Sequence, residues 1–204
     1  MNTQVISKPL SAFWFILLAS FVEGAAVMAV ELISAKMIAP YYGQSLYVWA
    51  TVIAVTLGGL TAGYFWGGNL SEKYPTQKMM FTIYLVSAIV TGLMPITGKI
   101  IMSATLGLGL KMGIIISTIV FVFPPLMCFG MISPMIIRLV STDVNTVGRS
   151  AGTVYSISTL GGIIATFSMG FYLIPFQGLR FSAYATAIAL AVFPIIFFVK
   201  NRKS

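Results

Sequence analysis

The chain has 204 residues, 58% of them hydrophobic and 8% charged, with a mean hydropathy of +0.98. Soluble domains carry roughly 25% charged residues, so an integral membrane protein is expected, without a soluble catalytic domain in this stretch. The absence of histidine and the single cysteine, Cys128, exclude a His-based metal site or base, an internal disulfide and a multi-Cys metal cluster. The net charge of +8 comes from Lys and Arg scattered singly, as membrane topology signals are, and implies no nucleic-acid partner.

One transmembrane domain, residues 1–204, is expected, with six spans at about 11–33, 46–68, 79–96, 113–137, 151–174 and 182–199. The first twenty residues have the look of a secretory signal. However, the apolar run continues past Glu23 to Ile33 without a clean small-x-small cleavage site, so a retained helix is expected. Glu23 falls near the middle of span one, where an ionised carboxylate costs roughly 2.5–3.5 kcal/mol on insertion scales. It is either a substrate or proton site or a protonated acid bonded to a neighbouring helix. Glu31 is a second candidate on loosely the same face, but Lys36 nearby favours an interfacial ion pair.

Span two carries Gly59, Gly63 and Gly67 at every fourth residue, a seam for close helix packing. Its polar exit loop holds Glu72, Lys73 and Lys78. The aromatics Tyr41, Tyr42, Tyr47 and Trp49 at one end, and Trp66 and Tyr74 at the other, read as interface belts; a cage for a cationic ligand is the less favoured reading. Spans three and six carry no charge and suit a lipid-facing rim. The stretch 97–112, with its apolar-glycine run, is expected to be a loop with an interfacial or re-entrant segment. In span four, Pro124, Pro125 and Pro134 should bend the helix, either lining a cavity or as a packing kink. Cys128 between them reads as a small core residue.

The halves resemble each other. Shifted by 103 residues, TLGGLTAGYFWG (Thr56 to Gly67) falls on TLGGIIATFSMG (Thr159 to Gly170). Gly59, Gly63 and Gly67 then meet Gly162, Thr166 and Gly170. With three spans per unit, repeat one (about 1–102) and repeat two (about 103–204) must be inverted across the membrane, as is common in transporters. With the N-terminus inside, the inner segments hold Lys8, Lys73, Lys78, Arg138, Arg149, Lys200, Arg202 and Lys203, against Lys36, Lys99, Lys111 and Arg180 outside, which favours two cytoplasmic termini.

Two resemblances follow from these blocks. GGNLSEKYPTQK (Gly67 to Lys78) resembles the loop between spans two and three of the major facilitator superfamily through Gly68, Leu70, Glu72 and Lys73, although its later basic part is replaced by Pro75 to Lys78. That resemblance implies a latch at the cytoplasmic face involving Glu72 and Arg138. More specifically, the block from Glu31 to Pro75, with Glu31, Pro40, Gly43, Trp49 and the glycine seam, is similar to the membrane domain of multi-spanning spermidine synthase-like proteins. So is the block from Ser133 to Arg180, through Pro134, Gly148, Gly152, Tyr155, Gly161 and Pro175. The glycine-rich nucleotide loop and acidic residues of that family's synthase domain do not occur in these residues.

The expectation is an all-α bundle of two inverted three-helix repeats, resembling half of a facilitator, in the inner (plasma) membrane. It is not expected to be an enzyme or to bind a cofactor or metal. Two functions compete. One is transport of a small cationic solute such as a polyamine, as a homodimer or with another membrane subunit. The other is a membrane anchor that docks a separate synthase-like protein through Glu72, Lys73, Arg138 and Arg149. The seams Gly59/Gly63/Gly67 and Gly162/Thr166/Gly170 would pack either between subunits or within one.

Overall fold

The computed structural model describes residues 10–141 and 146–201, and every described element is helical. Lys8, Arg202 and Lys203, used for the expected topology, lie outside the described residues. The helices are α1 (Leu10–Tyr42), α2 (Leu46–Lys73), α3 (Gln77–Thr105), α4 (Leu110–Phe121), α5 (Phe123–Val140), α6 (Val147–Ser168) and α7 (Gly178–Asn201). A π-helical stretch, Met169–Gln177, connects the last two. Five stretches are long and apolar enough to cross a bilayer: Trp14–Tyr42, Leu46–Lys73, Gln77–Leu108, Phe123–Val140 and Val147–Val199. This is an all-α fold of the membrane type.

The 53-residue stretch Val147–Val199 is interrupted at Gly178, where φ is +83°. With ψ at 168° this is a conformation essentially restricted to glycine, where a side chain costs roughly 1–3 kcal/mol, so glycine lets the chain end the π-helical turn and begin α7. Gly178→Ala is expected to lower stability by about 1–3 kcal/mol, read as a drop in unfolding temperature in detergent. Little or no drop would mean the turn relaxes without glycine.

The bundle is built on three pairs: α1 on α6, α2 on α5 and α3 on α7. In the α2–α5 pair, backbone meets backbone. A Cβ on Gly63 would lie 2.3 Å from the Met127 carbonyl oxygen, and one on Gly130 would lie 2.6 Å from that of Leu60. The α1–α6 pair repeats the arrangement: a Cβ on Gly161 would run into the Phe21 carbonyl oxygen, and one on Gly24 into that of Ser158. By contact, therefore, Gly161 plays the part of Gly63, and the seam on α6 differs from the expected one. Gly162 is buried, but Thr166 and Gly170 are exposed, and Gly170 has open space beside it. The seam residues that do pack lie within one chain.

Several other expectations are corrected. α3 runs on to Thr105 where a loop was expected from residue 97, and only a short 3-10 turn, Leu106–Leu108, separates it from α4. Thr97 and Thr105 donate to carbonyls one turn back, at Leu93 and Ile101, keeping these polar groups satisfied inside the helix. Nor are α3 and α7 a simple lipid-facing rim. Phe15 of α1 meets Phe81 of α3 at 5.6 Å and Phe193 of α7 at 5.3 Å, while Phe81 meets Phe197 at 4.7 Å. The most exposed span is α2, 28% buried against 61% for α1 and 56% for α5. Tyr42 is a core residue rather than part of a belt: it bonds Thr105 Oγ1 at 2.7 Å, and Thr105 bonds Ser117 at 2.7 Å, tying α1, α3 and α4 together.

Pro124 and Pro125 occupy the first turn of α5, where their missing N–H groups have no intrahelical bond to lose. Just before them a single residue with helical dihedrals, Val122, separates α4 from α5. Pro134 stays inside α5 and leaves the Gly130 carbonyl without its usual donor. Cys128 is buried in the core, as its size suggested.

Candidate functional site: a buried carboxylate beside a cavity

Glu23 sits on α1, the most buried helix, and is 2% exposed. Ser158 Oγ of α6 donates to one carboxylate oxygen at 2.9 Å, and Ser133 Oγ of α5 donates to the other at 3.3 Å. Three helices thus converge on one acid. The sequence makes this geometry through small residues. Gly24, next to Glu23, faces the Ser158 backbone with no side chain between them, so α6 comes close enough for the serine hydroxyl to reach the carboxylate. On the far side, Ser133 is buried on α5, one residue before Pro134.

The acid lines a cavity of about 350 Å³ between α1, α2 and α6, within the usual range for small-molecule sites. Tyr64 and Leu60 come from α2, Thr159, Thr166 and Phe167 from α6. No Lys or Arg lines it. A carboxylate has room for about four hydrogen bonds. With one serine on each oxygen, Glu23 keeps acceptor capacity for a proton or a cationic donor. The tyrosine and phenylalanine rings add faces that attract cations.

The other candidate residues lie elsewhere. Glu31 is half-buried further along α1 and lines neither this cavity nor the one that contains Lys36. Pro124 and Pro125 line none of the three cavities described here, whereas Pro134 lines a separate one. That cavity, about 510 Å³, gathers Glu72 at the end of α2, Arg138 near the end of α5, and Ser141, Val147 and Tyr155. The structure therefore brings Glu72 and Arg138 to one place. Lys73 and Arg149 are exposed at the end of α2 and the start of α6 and do not line it.

Sequence reasoning missed Ser133, Ser158, Gly24 and Tyr64. The available signal was local: Gly24 directly follows an intramembrane acid, and Gly130 and Ser133 sit on one stretch of a proline-rich helix. Among the described residues no group of His, Cys, Asp and Glu could hold a metal ion.

The chain matches no family model, no curated protein and no solved structure.

Proposed function

We propose that this chain carries a small organic cation or a proton across the membrane, with Glu23 as the residue that holds it. The observation that carries this reading is a nearly inaccessible carboxylate that, among the described residues, is served by two hydroxyls and faces a cavity without a basic residue. Burying a carboxylate without a cation is costly, and intramembrane acids of this kind mark ion and proton paths. The cargo class, a polyamine such as spermidine, comes from the resemblance to the membrane domain of spermidine synthase-like proteins.

We further propose six crossings arranged as two inverted three-helix repeats. Exchanging α1 with α5, α2 with α6 and α3 with α7 carries the α1–α6 pair onto α2–α5 and the α3–α7 pair onto itself. The glycine contacts follow: Gly63 with Met127 corresponds to Gly161 with Phe21, and Gly130 with Leu60 to Gly24 with Ser158. Charges at alternate helix ends agree with this, since Lys36, Lys99 and Arg180 share one cavity and Glu72 and Arg138 another. Both termini would then be cytoplasmic and the membrane the inner (plasma) membrane. In this reading the unit resembles half of a facilitator, and a second copy would supply the missing cavity wall. The exposed side chains of Tyr64 on α2 and of Ile163 and Phe167 on α6 line the Glu23 cavity and suit that contact.

The test is flux of labelled spermidine into liposomes containing the purified protein, with and without a proton gradient. Saturable flux supports the reading. No flux of spermidine and no proton movement, with the protein folded, overturns it.

The Glu72–Arg138 cavity favours a second reading, a membrane anchor for a separately made synthase-like protein. Here the double reversal Glu72→Lys with Arg149→Glu is expected to cut co-purification of such a partner at least tenfold. Glu23→Gln would leave it unchanged. Unchanged co-purification after the reversal would count against docking through these loops.

A further inference from the structure

The end of the bundle away from Glu72 and Arg138 carries four of the described cations: Lys36 on α1, Lys99 on α3, Lys111 on α4 and Arg180 on α7. Lys111 sits over the Tyr47 ring, 5.3 Å from its centroid. The other three come from three different helices and line one cavity of about 790 Å³, with no acid in its wall. In a chain where charged residues make up 8%, this is a concentration of one sign in one place. Three like charges around a shared cavity repel one another unless an anion lies between them.

The remaining wall narrows the class of anion. Tyr41 and Gln177 add neutral hydrogen-bonding groups, and Gly178 and Leu179 bring the first turn of α7, a 24-residue helix whose N-terminal amides favour negative charge. The rest is apolar, with Met37, Pro95 and Ile174 among the lining residues. A phosphate group with a hydrocarbon portion meets both parts of this wall. A cation meets neither, so this cavity is opposite in character to the one at Glu23.

We propose that Lys36, Lys99 and Arg180 form a binding site for a phosphate-bearing anion, the headgroup of an anionic phospholipid or a free phosphate compound. Basic pockets between membrane helices on the matrix or cytoplasmic side bind acidic headgroups through such charge clusters, and this one would do so on the outer side in the topology proposed above. The site is independent of the transport reading and stands whether or not Glu23 carries a solute.

The experiment uses the purified full-length chain in neutral detergent and measures retained lipid by native mass spectrometry. Phosphatidylglycerol, phosphatidylcholine and inorganic phosphate are the probes. The triple variant Lys36→Gln, Lys99→Gln, Arg180→Gln is set beside a control triple at the other end, Lys73→Gln, Lys78→Gln, Arg149→Gln. The wild type and the control are expected to bind phosphatidylglycerol over phosphatidylcholine. The cavity variant is expected to lose on the order of a hundredfold in affinity, the effect of three charges near an anionic headgroup. Competition by inorganic phosphate would assign the site to a free phosphate compound, and its failure to compete would assign it to a lipid headgroup. Equal binding by both triple variants, or no preference for the anionic lipid, overturns the proposal. Because all three side chains are exposed, the single variant Lys99→Gln, expected to lose several-fold, serves as a second measurement if the triple unfolds.

Discussion

Glu23→Gln is expected to reduce saturable spermidine flux about a thousandfold while leaving the protein folded. The magnitude follows from electrostatics. A unit charge pair about 4 Å apart at an effective dielectric constant of about 20 is worth roughly 4 kcal/mol, close to three powers of ten. Folding should survive because glutamine matches the shape of the acid and can both accept from and donate to the hydroxyls of Ser133 and Ser158. Glu23→Ala is a harsher change, since it takes the acceptor from the buried Ser133 hydroxyl and from the half-buried Ser158 hydroxyl. Flux in liposomes, with unfolding temperature as the control, separates the outcomes. Full flux by the folded Gln variant would remove Glu23 from the path and leave it a structural acid clasped between helices.

Gly63→Leu is expected to destabilise the protein by about 3 kcal/mol or more, whereas Gly58→Ala and Gly68→Ala should be neutral or slightly stabilising. All three glycines lie in α2. Gly63 faces backbone: a Cβ there would meet the Met127 oxygen at 2.3 Å and the Gly130 Cα at 2.7 Å, and neither can rotate away. Gly58 and Gly68 have nothing within 4 Å. Without that close approach α2 has little else to hold it, because its buried residues form a single face from Val48 to Ser71. Unfolding temperature in detergent measures the contrast. Equal effects at Gly58 and Gly63 would mean that general helix propensity matters and the seam does not.

The membrane class and most helices were legible because a bilayer demands long apolar runs and allows few exceptions. Helix ends were harder. A loop was expected from residue 97, yet α3 continues through Pro95 and Gly98 to Thr105. In apolar surroundings the backbone has no water to turn to, so losing one donor at a proline is better tolerated than leaving the helix. The packing register was ambiguous for a related reason. Gly58–Gly59 and Gly161–Gly162 are doublets whose members point about 100° apart, and a sequence cannot choose between the faces. In α2 only Gly59 is packed, while in α6 both members touch α1. At the candidate site, Glu23 stood out because a charge in an apolar run is visible by itself. Its serine partners did not, since hydroxyls are common in these helices and only the fold selects two of them.

Ser133 and Ser158 lie 110 and 135 residues beyond Glu23 along the chain. At roughly 5–20 residues per second, about 5 to 30 seconds of synthesis separate the acid from the hydroxyls that will hold it. Through that interval Glu23 has neither permanent partner, and the apolar residues around it must keep α1 in place. The seam of α2 waits likewise for α5. Assembly order is therefore written into the pairing: the first half of the chain emerges with its polar and glycine-lined faces unmatched, and the second half closes them.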